Sequence, residues 1–83
     1  RLFRYGGEEF LMLVNNGKVH EAEAIAEKIR ITVQMSPQSE MEHITVSIGV
    51  ASILQSESLD QWVARADAAM YRAKQLGKNR VES

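Results

Sequence analysis

LFRYGGEEFLMLV, residues 2–14, sets two extended apolar runs on either side of a Gly-Gly pair. Leu2 to Tyr5 is short and aromatic, and the run after the glycines carries Phe10, Leu11, Met12, Leu13 and Val14. Glycine accepts the positive φ that tight hairpin turns demand, so the stretch reads as a β-hairpin turning at Gly6 and Gly7. Asn15, Asn16 and Gly17 then break the second strand.

Outward from the hairpin, Ala22, Ile25, Ala26, Ile29 and Val33 fall three or four residues apart between Val19 and Val33. That spacing predicts an amphipathic helix with one buried stripe. A polar stretch containing Pro37, the single proline, follows as a surface connection. ITVSIGVASI, residues 44–53, alternates Ile44, Val46, Ile48 and Val50 with Thr45, Ser47, Gly49 and Ala51. This is the period of a strand. Its second face is small rather than charged, which predicts a covered central strand with a close neighbour. Ser58 and Gln61 have the spacing of a capping box. Behind them Leu59, Trp62, Val63, Ala66, Ala69, Met70 and Ala73 form a second helical stripe, which Gly77 can end in a left-handed cap. Residues 79–83 can begin one more strand. The order strand, strand, helix, strand, helix and a possible last strand predicts a single sheet covered by helices, an α/β or α+β class.

Composition limits what such a unit can be. With 83 residues, 45% of them hydrophobic, the chain has room for one core and no second domain. A net charge of −1 gives no global field to attract nucleic acid or acidic lipid, so an anion site has to be built locally. The absence of cysteine excludes disulfides and thiolate metal sites and suits the cytosol. No apolar run is long enough to cross a bilayer. The chain opens on Arg1 with no initiator methionine, inside a strand, and this reads as part of a longer protein.

The hairpin turn also carries chemistry. Without Cβ atoms, Gly6 and Gly7 would let a phosphate or nucleotide come close to the backbone. Glu8 and Glu9 are two adjacent carboxylates whose repulsion falls beside a divalent cation, and Mg²⁺ commonly takes one or two protein carboxylates plus substrate oxygens. On a regular strand the two would point to opposite faces, so at most one is a direct ligand; Glu8, nearer the turn, is the choice. An ordinary Gly-Gly hairpin with two solvated glutamates fits the same residues, and spacing leaves both readings open. Likewise Lys74 and Lys78, four apart near the end of the second helix, read equally as solvated charges that complement the helix dipole. His20 and His43 lack a partner at metal-ligand spacing and read as surface residues, while Phe10, Trp62 and Met70 read as core.

RYGGEEF, residues 4–10, resembles the signature of the GGDEF family, the diguanylate cyclases, in the form with Glu at the third position. ITVSIGVA resembles the family's central strand, and ADAAMYRAKQLGKNRV, residues 66–81, its last helix and following turn. The resemblance spans Arg4 to Val81. It implies a nucleotide-cyclase or polymerase-palm-like domain with a central, mostly antiparallel sheet, of which residues 1–83 are the C-terminal part. It also implies the condensation of two GTP molecules into cyclic di-GMP by two domains that face each other as a homodimer. Gly6 and Gly7 would lie against the nucleotide. Glu8 would be metal ligand for Mg²⁺ or Mn²⁺ and acceptor of the ribose hydroxyl proton, with Glu9 supporting the catalytic site. Lys74 and Lys78 would reach the phosphates, and a helix continuing through Gly77 would set them on one face. Lys28 and Arg30 lie where relatives carry a secondary contact to bound product. The resemblance further implies a cytoplasmic domain joined to an upstream sensor, with no nucleic-acid partner and no membrane contact.

The N-terminal half of such a domain, with an aspartate ligand and the guanine-reading residues, lies outside residues 1–83, so the isolated chain is expected to be inactive. A second reading is a non-catalytic family member that binds GTP or cyclic di-GMP for regulation, and a third is a purely structural interaction domain.

Overall fold

The computed structural model describes residues 2–4, 8–15, 18–36, 44–53 and 56–83. Four strands and two helices follow one another as β1 (Leu2–Arg4), β2 (Glu9–Val14), α1 (Val19–Met35), β3 (Ser47–Ser52), α2 (Leu59–Gln75) and β4 (Arg80–Glu82). The strands form one sheet in the order β1-β2-β3-β4.

β1 and β2 pair antiparallel, with Leu2 opposite Met12 and Arg4 opposite Phe10, as a hairpin requires. The other two pairings are parallel: β2 with β3, Glu9 opposite Ser47, and β3 with β4, Ser47 opposite Arg80. The expectation of a mostly antiparallel sheet is therefore corrected. A helix of 17 residues follows both β2 and β3 and carries the chain back to the end where the preceding strand began. The two helices lie on opposite faces of the sheet and make no contact with each other. Both crossovers step the same way across the sheet, so they have opposite hands. One is thus the uncommon left-handed form.

The alternation along β2 and β3 allocates the core. Met12, Val46, Ile48 and Val50 pack with Ala22 and Ala26 of α1, while Leu11, Leu13 and Ala51 pack with Ala66 and Met70 of α2. The stripes are narrower than the spacing predicts. Ile25 and Leu59 are 56% and 64% exposed. Ile44 is also partly exposed, and the strand starts only at Ser47.

The small face of β3 does receive a close neighbour. A Cβ on Gly49 would lie 2.2 Å from the Ala66 carbonyl oxygen and 2.4 Å from the Met70 nitrogen. Ala66, Ala69 and Ala73 are buried against this face, so α2 sits tight on the sheet. Trp62 Nε1 donates to the Ala51 carbonyl at 2.8 Å and fixes the first turns of α2 against the end of β3.

The capping box read from the sequence is formed. The Gln61 N–H donates to Ser58 Oγ at 3.2 Å, and the Ser58 N–H donates to Gln61 Oε1 at 2.9 Å. Ser58→Ala removes the acceptor and should cost about 1 kcal/mol, read as a lower midpoint in urea unfolding.

Candidate active site

Glu8 and Glu9, Ser47, Lys74 and Lys78 line one open cleft of about 340 Å³. It lies where β2 and β3 begin and α2 ends. Two residues come from the hairpin, one from the central strand and two from the far end of the chain.

Glu9 opens β2 on the face that α2 covers, and its Oε1 accepts from Lys74 Nζ at 2.8 Å. The hydrogen bond from Lys74 and the negative charge of Glu9 raise the Lys74 ammonium above the ordinary lysine range. It stays charged at neutral pH. Glu8 precedes the strand, so the opposite-face rule does not apply to it and both acids border the same cleft. Its carbonyl accepts the Ser47 N–H at 2.9 Å, which anchors the acidic segment to β3. Among the described residues no cation pairs with the exposed Glu8 side chain.

Lys78 reaches the cleft by another route than the one expected. The helix ends at Gln75, and Gly77, Lys78 and Asn79 all take positive φ, at 119°, 62° and 49°. The Gly77 N–H donates to the Lys74 carbonyl at 3.3 Å, and the Lys78 N–H to the Ala73 carbonyl at 2.9 Å. This is the left-handed cap that Gly77 foretells. A helix running through Gly77 is thereby corrected: the turn, not a helical face, places Lys78 beside Lys74. Both cations stand at a helix C-terminus, where the dipole favours them.

Gly6 and Gly7, Tyr5 and His43 lie outside the described residues, and so does any packing of the glycines against a ligand. His20 is on the surface, bonded to Glu23 at 3.1 Å. Met70 is buried, and Phe10 and Trp62 are packed at the edges of the two cores. Ser47 is the cleft residue that sequence reading passed over. Its signal was its place on the small face of a strand that pairs with Glu9.

A larger hollow of about 840 Å³ lies at the other end of β2, between residues such as Met12, Val14, Ala22, Ile25 and Trp62. Its lining is mostly apolar and its charged members, Lys18 and Glu21, pair with each other at 3.7 Å. It offers no convergent set of reactive groups, so the smaller cleft is the candidate site.

Among the described residues there is no group of three or more acidic or histidine side chains to enclose a metal. Glu9 is engaged by Lys74, which leaves Glu8 as the available carboxylate. One carboxylate beside two cations suits a Mg²⁺ held jointly with substrate phosphates, not a closed metal cage.

Residues 1–80 match the family model described as diguanylate cyclase, GGDEF domain. The chain belongs to the GGDEF family.

Relatives agree with this membership. The GGDEF chain is 45% identical over 80 residues to diguanylate cyclase DgcM of Escherichia coli, covering 96% of this chain and 20% of that protein. Diguanylate cyclase A of Treponema denticola is 44% identical over 82 residues, covering 94% of this chain and 22% of the relative. The response regulator PleD of Caulobacter vibrioides is 38% identical over 84 residues, covering 94% and 18%. The chain thus spans about a fifth of the length of the curated relatives it matches. No solved structure matches it at a significant level. No helix among the described residues is long and apolar enough to cross a membrane.

Proposed function

We propose that residues 1–83 are the C-terminal part of a GGDEF catalytic domain, and that the full-length protein condenses two GTP molecules into cyclic di-GMP. The observation that carries the reading is the cleft that unites Glu8 and Glu9 of the GGEEF segment with Lys74 and Lys78 from the opposite end of the chain. Diguanylate cyclases are named among the relatives that match nearly the whole chain.

Condensation forms a bond from a ribose hydroxyl oxygen to the α-phosphorus of the second GTP. It breaks the bond from that phosphorus to the bridging oxygen, releasing pyrophosphate. Two such steps close the ring. In this reading Glu8 would hold the divalent cation, Mg²⁺ or Mn²⁺, and accept the hydroxyl proton. A bound cation would neutralise the triphosphate and polarise the α-phosphate. Lys74 and Lys78 hold the outer phosphates, so that developing negative charge meets fixed positive charge. Glu9 keeps Lys74 oriented toward the cleft. Gly6 and Gly7 leave room for the nucleotide beside the backbone.

Each domain presents one GTP, so the partner is a second copy facing the first, and an upstream sensor domain controls their encounter. The substrate is a cytoplasmic nucleotide, and the domain belongs in that compartment.

One carboxylate and two lysines hold phosphates but do not read a base. The purified 83-residue chain, incubated with GTP and Mg²⁺, is therefore expected to yield no cyclic di-GMP by chromatography. Product from this chain would show that the cleft suffices for catalysis. Production by the full-length protein separates the enzyme from a regulatory module that merely binds GTP or cyclic di-GMP.

A further inference from the structure

Lys78 is exposed on a turn of three consecutive left-handed residues, a conformation that glycine bears freely, that asparagine tolerates and that lysine adopts only with strain. Such a turn persists only where its surroundings hold it. The two backbone bonds described above end the helix but stop at Lys78, leaving Asn79 to be fixed from elsewhere.

Arg80 Nη1 spans the turn to the Leu76 carbonyl at 3.0 Å, and the hold on Asn79 itself comes from α1, on the other face of the sheet. Arg30 Nη1 donates to Asn79 Oδ1 at 3.1 Å, a tie across 49 residues of chain. The same Nη1 also donates to Gln34 Oε1 at 3.0 Å, and Arg30 Nε pairs with Glu27. The arginine side chain is only 17% exposed, so its guanidinium is fixed before it meets the turn. Immediately after Asn79, Arg80 enters β4 opposite Ser47, itself a wall of the cleft.

We propose that Arg30 is a positioning residue. Through Asn79 it holds the left-handed turn that delivers the Lys78 ammonium to the cleft, and so sets the affinity for a nucleoside triphosphate. This rests on the reading of Lys78 as a phosphate contact. With the tie gone, Lys78 and Asn79 relax toward right-handed backbone angles and the ammonium leaves the rim.

The test is steady-state kinetics of the full-length protein with GTP and Mg²⁺, using initial rates before product accumulates. Arg30→Met keeps the unbranched aliphatic stem without the guanidinium donors, and Asn79→Ala removes the acceptor together with the tolerance for the left-handed conformation. Each is expected to raise KM about tenfold with kcat within about twofold, the loss of one hydrogen bond to a charged donor. Asn79→Asp retains both acceptor and turn and should restore the wild-type KM. The deciding measurement is the combination with Lys78→Ala. Once the ammonium is absent, Arg30→Met should raise KM no further. Independent, additive losses from Arg30→Met and Lys78→Ala would overturn the proposal, as would an unchanged KM in Arg30→Met and Asn79→Ala when Lys78→Ala raises it. An unchanged KM in Lys78→Ala would overturn the phosphate contact itself, a separate failure recognisable from that variant alone.

Discussion

Glu8→Ala in the full-length protein is expected to lower cyclic di-GMP formation by at least about 10²-fold, the scale on which removing a single group that stabilises the transition state acts. The melting temperature should stay within about 1 °C of wild type. The side chain is exposed and pairs with no cation among the described residues, so its loss leaves no buried partner unsatisfied. Glu9→Ala should behave differently. It strips Lys74 of the carboxylate that orients it at 2.8 Å, so it should weaken GTP binding as well as turnover. Chromatographic product assay and calorimetry together distinguish the two. A Glu8→Ala protein with undiminished product would remove the central residue from the mechanism.

Gly49→Ala is expected to destabilise the domain strongly. The added Cβ would sit 2.2 Å from the Ala66 carbonyl oxygen and 2.4 Å from the Met70 nitrogen. Both are backbone atoms of α2, so no side-chain rotation relieves the clash and the helix as a whole has to lift from the sheet. Overpacking costs typically 1–3 kcal/mol, and a rigid backbone neighbour puts this case at about 3 kcal/mol or above. That is a large share of the stability of a small domain. The readout is the urea midpoint, together with GTP affinity. Lifting α2 also withdraws Lys74 from Glu9, so stability and binding should fall together. A Gly49→Ala protein as stable as wild type would mean that α2 does not lie against β3 in this way.

The elements were legible because their signals are local. Alternation over 44–53, the three- and four-residue spacing of Ala22, Ala26 and Ile29, and the Ser58–Gln61 box each depend on residues within a few positions of one another. The candidate site was legible through resemblance more than through physics. A Gly-Gly turn followed by two glutamates, or two lysines near a helix end, has an ordinary explanation until one sees that the two groups meet. Ser47 escaped notice because a serine on the small face of a strand announces packing, not chemistry. Arg30 was read toward a product contact, and the bond to Asn79 across 49 residues has no sequence signature.

What could be read from the residues alone was therefore the set of strands and helices, the cap at Gly77, the tight approach at Gly49 and the acids at Glu8 and Glu9. Folding in three dimensions settled which strands pair and in which direction, and it corrected the antiparallel sheet to one with two parallel pairings of three. It also settled that a left-handed turn, and not a helical face, brings Lys78 to the acids. The physical reason is range. Dihedral preference and hydrophobic period act between neighbours in the chain, whereas strand pairing and ion pairing depend on how closely alanine-faced α2 can approach a glycine-faced strand, which no local segment encodes.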